Sequence, residues 1–506
     1  MKKLSIILII AVVLSGCAKS FYDVNNNPNV TTNASVDLVL ANALKVTAQQ
    51  QITNGSYQTV TEWMNYWAPS GSYAINASDG ASYKQTTDFA GGIWNNYYRN
   101  LEDYAYIERT ATASANYFYI GAAKAMKAFV YGQLVDMFNN VPYSEALQGV
   151  GNLNPKYDAA KAIYEDLSIQ LKAAVVLFKR ADAVGSTTQD VLFAGVNSKW
   201  IQFCNTLRLR LLMHQSQMVG RGAYIQAEIN DIAANTGGYL TADAAVNPGY
   251  SNSAGKQNPL YGFCYNTAGT FTQDFWRANK YPITFSLVNN DPRYTRWYAA
   301  NGSGNYVGNV LGATNNAVGS VASVFGPGLL QSVSQGAILI TGSESYFLQA
   351  EAGLKGFLAV SQLTAFNNGV AASFNYLSAK YPTIKSVVPP FLDSIIFTIP
   401  QSITIYTTQA NNQTNYAACS NDAQRLACII RQKYLAFNTT TPLEAWNDYR
   451  RTGYPADMPL SIHPQIDQLP PSIPTRFLYV TNEFNTNAAN VPTGINYHTS
   501  KIFWMP

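Results

Sequence analysis

The sequence predicts a mostly α fold, a tetratricopeptide-like helical scaffold with one loop-rich, aromatic-rich face. Three observations lead there. Between residues 117 and 218, apolar residues return every three or four positions, the period of helices with one face in a core. From about residue 236 to 336 that period dissolves into Gly, Asn, Ser and Tyr. Aromatic residues reach 13% of the chain, as 34 Tyr, 23 Phe and 8 Trp, against only 12% charged residues.

The chain opens with a leader. Lys2 and Lys3 precede an apolar run from Leu4 to Leu14, and Leu14-Ser15-Gly16-Cys17 follows. A short positive start, a short hydrophobic core and small residues describe a secretory signal peptide. The run falls well short of the roughly 18 residues a membrane-spanning helix needs. The tetrad resembles a bacterial lipobox, which implies cleavage before Cys17 and acylation of its sulfur and new amino group. Residues 1–16 are therefore read as the signal peptide. Residues 17–36, Asn-rich with Pro28, form a lipidated tether that suits a body held off a membrane.

Residues 37–506 read as a single α-helical domain with an irregular insertion at about 236–336. In 117–138, Phe118, Gly121, Ala122, Ala125, Phe129 and Gly132 share one face, and Tyr131, Leu134, Val135 and Phe138 line another. The small residues of the first face let a second helix come close. Ile163, Leu167, Leu171, Ala174 and Phe178 give the next helix, and Trp200, Phe203, Leu207, Leu211 and Met218 a third. No repeat of fixed period accompanies these pairs. Helical patterns return at 344–358 and 423–437, and the Pro-rich segment after Tyr454 is expected to wrap the surface.

Composition narrows function. The net charge of +4, less the two leader lysines, leaves about +2, and no long basic run occurs, which argues against nucleic acid. The three histidines are isolated and no CxxC occurs, so no metal is expected. Cys419 and Cys428 are close enough to staple a loop in an oxidising exported setting. Gly249–Lys256 fails as a phosphate loop: five residues separate Gly249 from Gly255, and Gln257 stands where Ser or Thr is needed. No Gly-x-Ser-x-Gly elbow occurs. The expectation is a protein without a cofactor that is not an enzyme, although 29 acids leave a glycan hydrolase open.

Five segments in order, together with the lipobox, resemble one family. They are Asp136 to Ala146, Lys199 to Arg210, Asp291-Pro292-Arg293, Ser343 to Ala352, and Arg431 to Ala436 followed by Glu444 to Pro455. These are similar to elements of the SusD/RagB-like outer-membrane nutrient-binding lipoproteins, and the Asp23-Val24-Asn25-Asn26-Asn27-Pro28-Asn29 stretch to its SusD-like subgroup. The resemblance implies a lipoprotein of Bacteroidetes-type bacteria, lipid-anchored in the outer membrane and facing the exterior. It also implies a TonB-dependent barrel as partner and oligosaccharides, or in some members peptides, as ligand. Asp23 is the first acid after Cys17, later than is usual for surface export in such bacteria.

Physically, most of these motifs are architecture. Asp136, Glu145, Glu344, Glu351, Glu444 and Asp448 are candidates to pair with Arg208, Arg210, Arg450 and Arg451 between helices, since an unpaired buried charge is expensive. Ligand candidates lie in aromatic segments at turns. Trp67 and Tyr73 flank a Pro/Gly turn expected to be exposed. Trp276, Arg277, Tyr281 and Trp297 mix flat apolar faces with hydrogen-bond donors, which a sugar platform needs. Aromatics of this kind also serve to anchor irregular loops.

Overall fold

The computed structural model describes residues 34–53, 55–73, 80–385, 395–463 and 472–506. The leader, Cys17 and nearly all of the 17–36 tether lie outside the described residues. The fold is mostly α. Helix α1 (Val36–Thr53) and α2 (Gly55–Trp63) lead into strand β1 (Trp67–Pro69). Helices α3 (Gly91–Ala113) and α4 (Tyr117–Phe138) form a hairpin across a three-residue turn. A seam of paired polar side chains joins the first three long helices. Thr47 Oγ1 bonds Asn100 at 2.7 Å and Tyr104 at 2.6 Å, and Gln51 bonds Gln133 at 3.1 Å.

Helix α4 is buried on nearly every side, as a helix without a polar face must be. Its small residues act as the sequence suggests. A Cβ on Gly121 would lie 3.0 Å from the Phe178 ring, and one on Gly132 would lie 3.4 Å from Leu211. Those partners sit on α5 (Ala160–Phe178) and α6 (Asn197–His214). Between α4 and α5 lies the small ladder of β2 (Val141–Pro142) and β3 (Tyr157–Asp158).

Beyond α7 (Gly222–Ala234) the elements shorten: β4 (Ala244–Val246), α8 (Pro259–Cys264), β5 (Trp276–Ala278), α9 (Lys280–Val288), α10 (Tyr294–Trp297), β6 (Tyr298–Ala299) and β7 (Val324–Phe325). Regular helices resume after β8 (Ala337–Ile340) with α11 (Gly342–Leu354) and α12 (Gln362–Ser378). The ladder of β9 (Thr383–Lys385) and β10 (Ile396–Thr398) then precedes α13 (Ile399–Thr407). Helices α14 (Asp422–Ala436) and α15 (Pro442–Thr452) complete the helical body. Cys419 and Cys428 are buried free thiols packed in a satellite core with Phe366 and Phe374, and the Cys419 thiol donates to the Asn412 carbonyl at 3.6 Å.

The helices are locked by buried charge. On α6, Arg210 grips Glu344 of α11 through two bonds of 2.6 and 2.9 Å, with Glu444 of α15 at 3.7 Å. His214 Nε2 lies 2.9 Å from Glu444, and its Nδ1 lies 3.0 Å from the Tyr164 hydroxyl and 3.6 Å from Asp136. On α15, Arg451 binds Glu351 of α11 at 2.6 Å and Asp448 at 2.6 Å, and Lys433 of α14 reaches Asp448 at 2.9 Å. Arg208 pairs instead with Glu228 and Asp231 of α7. Two expected partners fall elsewhere. Glu145 meets Lys156 at the surface, and Arg450 lies 3.5 Å over the Trp446 ring while donating to the Thr475 carbonyl at 2.7 Å. Burial lowers the Arg450 guanidinium to about 9, against the opposing pull of Asp136.

The C-terminal segment departs from expectation. Phe477, Tyr479, Ile502 and Trp504 are buried, and the Trp504 indole donates to Asp136 at 2.9 Å. Proline content sets backbone shape, but it is these aromatics that set burial.

Removing one partner of such a pair strands a charge in the core. Arg210→Ala should therefore cost about 3–5 kcal/mol in a urea unfolding titration. Burial opposes charge on His214, yet Asp136 and Glu444 hold its imidazolium up to about 9 from an ordinary 6.5. Burial likewise opposes charge on Glu444, yet Arg210 and His214 keep its carboxyl well below the ordinary 4.5. A raised folded pKa gives stability that is complete below pH 6.5 and lost as pH rises through 9. The lowered carboxyl gives stability present above pH 4.5 and lost on acidification. Stability measured against pH should thus fall on the alkaline side between 6.5 and 9, and His214→Gln should flatten that arm.

Candidate functional site

The loop-rich face is built on two small antiparallel ladders. Strand β1 pairs with β5 in the register Trp67↔Ala278, Ala68↔Arg277, Pro69↔Trp276, and β6 pairs with β7 as Tyr298↔Phe325. These bring segments about 200 residues apart into one aromatic layer. The Trp67 ring stacks on Phe263 at 6.0 Å and meets Phe325 at 4.8 Å and Trp276 at 5.7 Å. Its indole N–H donates to Thr439 Oγ1 at 2.9 Å, and that of Trp276 to Gln58 at 3.0 Å.

The exposure expected for Trp67 is thereby corrected. It is 1% exposed, Trp297 0% and Trp276 6%. Their flat faces are used in packing because two- and three-residue strands hold too few hydrogen bonds to fix such loops alone. Arg277 is also buried, donating to the carbonyls of Gln273 at 2.9 Å and Trp276 at 2.8 Å, so it organises its own loop. Tyr73 does reach solvent, edge-on to Phe275 at 4.9 Å, and a hydrogen bond with Asp274 raises its phenol. Tyr281 belongs to a separate hollow of about 560 Å³ with Phe285, Arg431, Tyr454 and Asp457, where its hydroxyl meets Asp457 at 3.1 Å. The six residues singled out in the sequence thus divide among a buried layer, an exposed edge and a second hollow.

A larger cleft opens beside Trp297, with a volume of about 850 Å³. Its walls are Tyr294 and Arg296 of α10, Tyr306 of the following loop, Tyr381 just before β9 and Ile396 at the start of β10. Tyr294 and Tyr306 meet edge to face at 4.7 Å, and the Arg296 guanidinium lies 5.2 Å over the Tyr381 ring. Arg296 also donates to the carbonyls of Tyr381 and Thr383.

The Asp291-Pro292-Arg293 element holds this wall in place. Arg293 bonds Asp291 at 2.7 Å, Ser373 of α12 at 3.0 Å and Gln432 of α14 at 2.8 Å, anchoring the short α10 to two long helices. Close approach does the rest. A Cβ on Gly326 would sit 2.5 Å from the Arg296 carbonyl oxygen, and one on Gly328 would sit 2.6 Å from that of Leu377. Tyr381 lay beyond the loop-rich region of the sequence. Its one signal was Tyr381-Pro382 directly after a helical pattern, a stop that puts a side chain at a helix exit.

One cluster has the composition of a metal site. Donor atoms of Asp136, His214 and Glu444 lie within 4.8 Å of one another, all buried. Protein groups already engage them: Trp504, Tyr164 and Asn447 donate to Asp136, and Arg210 approaches Glu444. The set is an ion network between helices, and the sequence hid it because 136, 214 and 444 are far apart.

Trp67→Ala and Trp297→Ala should each cost about 3–5 kcal/mol in chemical denaturation, the scale of emptying a packed aromatic site. Tyr381, 38% exposed, should stay within about 1 kcal/mol of wild type when changed to Ala.

A family model described as "Starch-binding associating with outer membrane", of the SusD-like type, matches residues 26–480. Among solved structures, a chitin-binding protein is 24% identical, with 89% of this chain and 95% of that one covered and a TM-score of 0.69. A chitin-binding SusD homologue from Flavobacterium johnsoniae is 20% identical over 92% and 98% of the chains, with a TM-score of 0.72. A SusD homologue from Bacteroides uniformis is 18% identical over 92% and 99%, again with a TM-score of 0.72. No curated protein matches the chain.

Proposed function

The chain belongs to the SusD-like family, and on that premise we propose that it captures nutrient oligosaccharides at the bacterial surface and delivers them to a TonB-dependent outer-membrane transporter. The observation that carries the reading is the 850 Å³ cleft walled by Tyr294, Tyr306 and Tyr381. Tyrosine offers a flat apolar face to the C–H side of a sugar ring and a hydroxyl to its rim. A cleft of this volume that opens to solvent can seat a few sugar rings while the rest of an oligomer runs out past its rim. Tyr73, on the exposed edge beside Phe275, offers a second contact of the same kind.

The protein is a binder, not an enzyme, in this reading. Ligand capture is followed by closure against the barrel, and the ligand drives closure only through contacts stronger in the closed state. Cys17 carries the lipid, and with the tether it places the body at the outer face of the membrane. Two or more acyl chains make such anchoring stable.

The test is calorimetric titration of the mature detergent-solubilised protein with glycans and short peptides, with product release followed alongside. Saturable glycan binding without product is expected, and Tyr381→Ala should weaken it by about 1–3 kcal/mol. Binding of peptides alone, or turnover of a glycan, would overturn the reading. Cys17→Ala should abolish incorporation of labelled palmitate and release the protein from the membrane fraction.

A further inference from the structure

The charge of the cleft narrows its ligand. We propose that the glycan bound between Tyr306, Tyr381 and Arg296 carries anionic substituents, carboxylate or sulfate, and that Arg296 receives them. The inference rests on the capture reading above and deepens it.

Among the described residues Arg296, like Arg109, Arg277 and Arg476, forms no ion pair and donates to backbone carbonyls, but of these four it alone lines the 850 Å³ cleft. Arg208, Arg210, Arg293, Arg431 and Arg451 each have a carboxylate partner, and Arg450 is seated on Trp446 and Trp504. Among the described residues no carboxylate forms an ion pair with Arg296. Its Nη2 donates to two backbone carbonyls, and its Nε is buried without a protein acceptor. Burial lowers the guanidinium from its ordinary value, and only the phenols of Tyr306 and Tyr381 act in the opposite direction.

The surroundings are cationic as well. Lys380 Nζ lies 5.4 Å over the same Tyr381 ring that Arg296 covers. No Asp or Glu is among the described lining residues. A neutral sugar presents hydroxyls that donate as well as accept, and is commonly held by carboxylate acceptors. Arg and Lys only donate. A concave surface of one sign with low-dielectric walls focuses its potential on a ligand of the opposite sign. Charge-assisted bonds from a guanidinium or ammonium donor to a carboxylate or sulfate oxygen are the strong ones.

The experiment compares matched ligands on the mature detergent-solubilised protein. One arm sets an oligogalacturonide against its carboxyl-reduced neutral counterpart. A second sets a chondroitin sulfate oligosaccharide against its desulfated form, and chitooligosaccharide serves as a neutral reference. One anionic ligand should bind at least about tenfold more tightly than its neutral match, and the advantage should shrink as salt is raised. The arm that shows the preference identifies the substituent. Arg296→Gln and, independently, Lys380→Gln should each reduce it, with the salt series and Lys380→Gln deciding the matter if Arg296→Gln unfolds. Equal or tighter binding of the neutral forms would overturn the inference and leave glycan capture standing. Binding of no glycan at all would overturn both.

Discussion

The structure depends on the pairing of charge inside a helical core. Arg210 and Arg451 lie on α6 and α15, yet each reaches a glutamate of α11, and Glu444 returns the contact through His214 toward Asp136 on α4. Such groups cannot slip past one another by a turn without leaving an ion stranded. The requirement fixes the register of helices that apolar packing alone would leave free to slide. Its reach extends to the C-terminus, where Trp504 closes the set by donating to Asp136.

The irregular face borrows its rigidity from this frame. Loops with two-residue strands have little cooperativity of their own, so they are pinned from beneath by large side chains. Trp67, Trp276 and Trp297 are such pins, and Arg293 ties the short α10 to α12 and α14. A loop-rich surface can then be held in place without regular secondary structure, because its floor is core.

Much of the frame was legible in the sequence. The helical period gave α4 its true limits of 117 and 138, and the small residues of its first face mark where Phe178 and Leu211 approach. The ordered motifs identified the family before any contact was known. The site was less legible. A tryptophan at a turn reads as exposed only if no distant strand covers it, and Trp67 is covered by residues about 200 positions away. Local pattern carries no trace of that pairing. The same limit concealed Tyr381, which meets Arg296 across 85 positions, and the His214 network, whose members are solitary in the sequence.

The two sides of the large cleft have unequal standing. One side, Tyr294 to Trp297, is fastened to the ion-paired Arg293. The other is the β9–β10 ladder, in which Ile384 is the buried anchor while Lys385 and Ile396 face outward. Substitutions on the first side disturb the fold, whereas the outer positions of the second can drift almost freely. If the cleft is the capture site proposed above, changes of ligand in a lineage of such chains would accumulate in the hairpin and leave the buried Arg293 untouched, so inheritance of the scaffold and invention of specificity would fall to different stretches of one gene.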